Sequence, residues 1–316
     1  MTQFDWKKGD MIGTRNAYGQ KLAVLASTHP EIVVLDADLS GSTQTKLFAK
    51  VAPGRFFNCG VAEQDLIGTA AGLAHSGLTA FASTFAMFAA GRAWEIIRQS
   101  VCYPHLNVKI CPTHAGITVG EDGASHQIVE DIALMRVIPH MQVFIPADAW
   151  QTVAIMDYMV ATPGPMYLRL GRANVPVLFD EHYHFEPGKG VVMREGKKIC
   201  LITAGFVTQA TLDAATLLAK RGISATVVNM PSIKPIDEAL LVEMSTHHDL
   251  LVSVEEHSVI GGLGGAVAEV LTTHKPARLL RLGLQDEFGQ SGDYKVLLKH
   301  YNLDAEGIAN SVLKVL

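Results

Sequence analysis

The chain has 316 residues, of which 48% are hydrophobic and 18% charged, and a formal charge of −5. That length suits two domains, each with its own core, and the apolar share is of the kind that ends up in an interface. Mild acidity without a basic stripe excludes a nucleic-acid or anionic-membrane partner, because both select for clustered Lys and Arg.

The opening stretch, MTQFDWKKGDMIGTR, has no apolar run long enough for a signal peptide. No later segment reaches the roughly 18 apolar residues that cross a bilayer, so a cytoplasmic setting is expected. Through the first half, short β-branched runs alternate with Ala-rich stretches of helical period, the signature of βαβ units around a parallel sheet. The runs predict strands over 32–35, 79–82, 108–111, 143–145 and 166–170, with helices over 16–27, 63–74 and 89–101 between them.

From about Val175 this pattern gives way to VPVLFDEHYHFEPGKG, which reads as an irregular connection. The predicted fold is therefore α/β with two doubly wound domains, 1–183 and a smaller 184–316. In the second, strands are expected over 199–203, 225–228 and 250–254, with a helix over 208–220 ended by Gly222. The glycines of GGLGGAV open another helix; without a third glycine of the GxGxxG kind they read as close packing of helix on strand. Cys59, Cys102, Cys111 and Cys200 are scattered and read as buried reduced thiols. His182 with His184, and His247 with His248, lack the one-face spacing of a metal site, so no metal ligand is expected in this chain.

The unusual residues gather in three places. THAGITVGEDGASHQ, 113–127, follows a predicted strand and so lies at a carboxyl end, where open α/β sheets bind ligands. Its glycines let the backbone bend toward a ligand, while His114, Glu121, Asp122 and His126 supply charge and proton transfer. In GVAEQDLIGTAAGLA, Glu63 stands at the start of an apolar helix, either as a favourable charge on the helix dipole or as a carboxyl able to share a proton with a heterocyclic nitrogen. In STFAMFAAGRAW, Phe85 and Phe88 fall three apart on one face of a turn, a spacing that more often serves a core than a cofactor platform.

The order and separation of these clusters resemble the second half of transketolase, from about Gly13 to the C-terminus. The resemblance implies a pyrimidine-binding domain over 1–183 and a transketolase C-terminal domain over 184–316. It implies thiamine diphosphate as cofactor. GVAEQ matches the motif whose glutamate, here Glu63, bonds the aminopyrimidine nitrogen and promotes its imino tautomer. Phe88 matches the aromatic that stacks on the pyrimidine, with Phe85 beside it; Gly91 stands where many members carry a tyrosine. Arg15, Ser42, His114 and Arg172 match positions that hold a sugar phosphate, a role suited to guanidiniums that donate bidentately. Asp122 matches the carboxylate that reads a substrate hydroxyl, and His126 the histidine beside the transferred ketol.

No GDG with its paired downstream Asn, the family's Mg2+ and diphosphate ligands, occurs in the chain. The resemblance therefore implies a split transketolase, catalytic only with an N-terminal partner subunit, two copies of each forming a heterotetramer. The activity implied is two-carbon ketol transfer between sugar phosphates, as in the pentose phosphate pathway. Three other readings share the fold. The AEQ wording around Glu63 is that of 1-deoxyxylulose-5-phosphate synthase. The β subunit of a 2-oxoacid dehydrogenase also supplies the glutamate, without reason to keep four phosphate ligands. A non-catalytic partner would need none of Glu63, Asp122 and His126.

Overall fold

The structure, a computed structural model, describes residues 4–316. Contacts divide the chain into two compact units: residues up to Ala115 with Leu134–Phe185, and Gly116–Ala133 with Glu186–Leu316. The Gly-rich segment after Ala115 thus packs with the C-terminal unit, a grouping that a linear division at 183/184 does not contain.

In the first unit, parallel strands lie side by side in the order Gln142–Phe144, Met166–Leu168, Val108–Ile110, Thr79–Ser83, Ile32–Asp36 and Phe56–Asn58. Ile32–Asp36 and Thr79–Ser83 are buried at every position, which is why they read as continuous apolar runs rather than alternating ones. Thr14–Thr28 and Ala149–Ala161 are the helices that meet this sheet's core, where Tyr18, Leu22, Leu25, Ile155, Met156 and Met159 pack with Ile32, Phe81 and Phe144. The chain-order expectations hold for five strands within one or two residues at their ends. Three three-residue strands, Phe56–Asn58 and the antiparallel pair Met11–Gly13 with Asn174–Pro176, were not expected. They are too short to show a period.

The helix expected over 89–101 is not regular. Met87–Arg92 and Ile97–Cys102 are wide π turns on either side of one α turn, Trp94–Ile96. The Ala93 N–H reaches back five residues to the Phe88 carbonyl and the Tyr103 N–H five to that of Arg98. Such widened turns displace side chains from the usual helical faces and recur at functional sites.

In the second unit the sheet order is Leu279–Leu284, Leu250–Ser258, Ile199–Thr203, Ala225–Asn229 and Val191–Arg194, all parallel except the last. Helices Thr208–Ala219 and Ala305–Leu313 cover an apolar cluster of Leu201, Val227, Val252, Leu218 and Ile308. The GGLGG segment behaves as close packing. A Cβ on Gly264 would meet Ser253 and Arg281, and one on Gly262 would meet Glu255 and His257. The Glu255 carboxylate accepts the N–H groups of Leu263 and Gly264 at 2.6 and 2.8 Å, which caps helix Leu263–His274. All four cysteines are free thiols, three of them buried.

Candidate active site

Seven of the nine expected site residues lie in the first unit; Arg15 opens the helix after the antiparallel strand Met11–Gly13, and the other six follow the carboxyl ends of parallel strands. Open α/β sheets bind ligands at this edge.

Arg15 and Arg172 are 157 positions apart in sequence and are brought together by the short antiparallel pair. Gly13 pairs with Asn174, so Arg15, two residues after one, and Arg172, two before the other, leave the ladder on the same side. The Gly171 N–H donates to the Thr14 hydroxyl at 3.0 Å and pins the junction. Burial, and then the Arg172 charge, push the Arg15 guanidinium below its ordinary value, the mark of two cations held close in a partly dry setting. Arg15 donates one Nη1 bond to the Ser42 carbonyl at 2.9 Å, while its buried Nε has no hydrogen-bond partner among the described residues. A buried, unsatisfied guanidinium N–H beside a second guanidinium fits an anion. Ser42 enters through its main-chain oxygen, as an orienter of Arg15. Its turn, Ser40–Thr43, is fixed by Asp36, which accepts from the Leu39 N–H at 2.5 Å, the Thr43 hydroxyl at 2.6 Å and the Thr45 hydroxyl at 2.9 Å. Burial raises the Asp36 carboxyl, and these bonds oppose the rise.

His114 lies one residue past an extension of the sheet in which Phe85 bridges to Thr113. It takes a left-handed φ of 60°, is buried, and bonds through Nδ1 to the Thr113 hydroxyl at 2.8 Å. Its ring stacks on Phe85 at 3.9 Å between centroids, and Phe85 stacks in turn near Phe88 at 6.1 Å with planes 13° apart. With His114 the two phenylalanines form a row of rings beginning at the strand ends.

Glu63 is the first residue of helix Glu63–His75 and is 2% exposed. Its Oε2 accepts from Arg92 Nη1 at 2.8 Å, and the Arg92 guanidinium carbon stands 5.0 Å from the Phe88 ring centroid. The carboxylate and the row of rings thus share one neighbour. A planar heterocycle with ring nitrogens suits this surrounding, so the pyrimidine end of thiamine diphosphate fits the residues present. Arg92 was not anticipated: nothing in the sequence ties it to Glu63, 29 positions upstream, and it reads as one more surface cation.

Asp122 and His126 belong to the second unit. Ile117–Asp122 is a short helical turn kinked at Gly120, flanked by Gly116 and Gly123 at φ of 78° and 72°. Asp122 is exposed; His126 is half-buried and its Nδ1 meets the Ser125 hydroxyl at 3.0 Å. The C-terminal unit holds this loop from beneath. Glu256 accepts the Thr118 N–H at 2.6 Å, and Gln127 Nε2 donates to the carbonyls of Ile117, Gly120 and Gln290 at 3.2, 3.1 and 2.9 Å. A Cβ on Gly116 would overlap the Glu256 carboxylate, so glycine is needed there twice, for its φ and for its size. Glu256 was missed as a supporting residue, because a Glu pair on a strand carries no sign of which loop it will reach. No group of three or more His, Cys, Asp or Glu among the described residues is arranged to hold a metal ion.

Comparison with known proteins finds two family models. Residues 10–177 match the transketolase pyrimidine-binding domain and residues 188–308 the transketolase C-terminal domain. The chain is 51% identical over 305 residues to a putative transketolase C-terminal section of Methanocaldococcus jannaschii, covering 96% of each. It is 36% identical to one of the subunits of an apulose-4-phosphate transketolase from Phocaeicola vulgatus, covering 96% of this chain and 98% of that one. Among solved structures it is similar to a split gene transketolase in an inactive beta4 tetramer, at 54% identity and a TM-score of 0.89, with 96% of this chain and 98% of that chain covered.

Proposed function

The chain belongs to the transketolase family as the C-terminal section of a split enzyme, and on that premise we propose that it is one of two subunits of a ketol transferase. In this reading the partner is the N-terminal subunit, two copies of each assemble, and the partner holds Mg2+ and the diphosphate. The inactive beta4 assembly of a similar protein supports the need for a partner. We divide the subunit at 183/184 into a pyrimidine-binding and a C-terminal domain, in keeping with family matches over 10–177 and 188–308. A cytoplasmic setting belongs to the same reading and agrees with four cysteines that form no disulfide.

Thiamine diphosphate, when bound, supplies the carbon nucleophile and the electron sink for breaking a carbon–carbon bond. The chain's own residues do the rest. Glu63, buried at a helix start, shares its proton with the pyrimidine nitrogen. Phe88 and Phe85 offer it their faces. Arg15 and Arg172 hold a phosphate dianion by charge-assisted bonds, with Ser42 orienting Arg15 and His114 closing the same edge. Asp122 accepts from a substrate hydroxyl, and His126 donates to the ketol oxygen. The donor is a ketose phosphate such as xylulose 5-phosphate and the acceptor an aldose phosphate, the chemistry of the pentose phosphate pathway.

The observation that carries this reading is Glu63, a carboxylate 2% exposed beside a row of rings at the sheet's ligand-binding edge. Glu63→Ala in the reconstituted complex should abolish ketol transfer while the two subunits still assemble, as judged by sedimentation. Unchanged turnover would assign the chain a scaffolding role instead.

A further inference from the structure

The Arg92 guanidinium contacts both groups to which the proposed function assigns the pyrimidine. It bonds Glu63 Oε2 at 2.8 Å and faces the Phe88 ring at 5.0 Å. These are the two groups that the cofactor ring would use. A guanidinium is a flat N–C–N array able to lie on an aromatic face while its edge meets a carboxylate, so it satisfies both groups as a pyrimidine would. We propose that Arg92 is a placeholder: it fills the pyrimidine seat in the cofactor-free subunit and must leave it when the cofactor binds.

Three features support an exchange rather than a permanent pair. The Glu63 side chain is 2% exposed and fixed by its helix, whereas the Arg92 side chain is 53% exposed and can swing into solvent. Arg92 ends the widened turn Met87–Arg92, where the Phe88 carbonyl bonds five residues on at 3.3 Å and Gly91 precedes it. Its own carbonyl meets Gln64 Nε2 through a long bond of 3.4 Å. The chemistry points the same way. A buried carboxylate with no partner is costly, so Glu63 needs a cation or a hydrogen-bond donor beside it. Arg92 Nη1 already takes Glu63 Oε2 and its guanidinium faces Phe88, so the guanidinium and a pyrimidine ring compete for the same carboxylate and the same aromatic ring.

The inference rests on the proposed function, and calorimetry separates the two. Thiamine diphosphate is titrated with Mg2+ into the complex of this chain with its N-terminal partner, comparing the native chain, Arg92→Ala and Arg92→Lys. Releasing a half-exposed ion pair and a cation–π contact should tighten binding about three- to tenfold in Arg92→Ala. Arg92→Lys, which keeps the charge but not the plane, should fall between. Equal or weaker binding by Arg92→Ala, with the native complex binding, overturns the placeholder and leaves the function standing. No binding by any of the three complexes overturns the functional reading, and the placeholder with it.

Discussion

At the scale of single residues, the site depends on pairs that long stretches of sequence separate. Arg15 and Arg172 reach each other through a ladder of three residue pairs, and burial, then the Arg172 charge, lowers the Arg15 guanidinium. In the proposed reading they offer a phosphate together more than either could alone. Arg172→Ala should raise KM for a phosphorylated ketose by about tenfold or more, since charge-assisted bonds are lost from ground and transition states alike. Initial-rate kinetics check this, and a fall in kcat with KM unchanged would remove Arg172 from the phosphate. The residues legible in the sequence were those set in dense local patterns: Glu63 in GVAEQ, the phenylalanines in STFAMF, and Asp122 and His126 among glycines. Arg92 and Glu256 were illegible because each matters only through a distant contact, with Glu63 and with the Thr118 N–H. Ser42 was legible as a residue, but the bond from Arg15 to its carbonyl was not.

At the scale of elements, long apolar runs announced themselves, and short or strained ones did not. The central strands of both units were read from continuous β-branched sequence. The wide turns over Met87–Arg92 and Ile97–Cys102 looked like one helix because Ala and Ile recur through them at helical spacing, and periodicity does not reveal a change from four- to five-residue bonding. The strand Val108–Ile110 contains a further surprise, Lys109, fully buried in the sheet. Its Nζ donates to the carbonyls of Thr162 and Gly164 at 2.8 and 2.9 Å. Burial lowers this amine from 10.5 to about 7. Between those values the unfolded chain binds the proton that the folded chain releases, so stability rises with pH above about 7. The slope is at most about 1.4 kcal/mol per pH unit. Burial raises the Cys111 and Cys200 thiols, an opposing effect that begins only where unfolded thiols ionise, near pH 8.5. Urea unfolding from pH 7 to 8.3 should therefore show a rising midpoint in the native chain and a flatter profile in Lys109→Met. Parallel profiles would mean that Lys109 stays charged in the fold.

At the scale of the whole molecule, the chain is two α/β units, and the Gly-rich segment Gly116–Ala133 packs with the second. Residues 184–316, in which the sequence places no site residue, thus support the loop of Asp122 and His126 through Glu256 and the Gln290 carbonyl. Local pattern could not reveal this, because membership of a unit is settled by contacts across more than a hundred residues. The central claim is that this subunit carries the pyrimidine and sugar-phosphate groups of a ketol transferase and depends on a partner for the diphosphate. The most direct measurement is calorimetric titration of thiamine diphosphate with Mg2+ into this chain alone and into its mixture with the N-terminal partner, followed by an assay of transfer from xylulose 5-phosphate to ribose 5-phosphate. The account predicts no binding by the chain alone, and binding with transfer by the mixture. Tight binding by the isolated chain would contradict it.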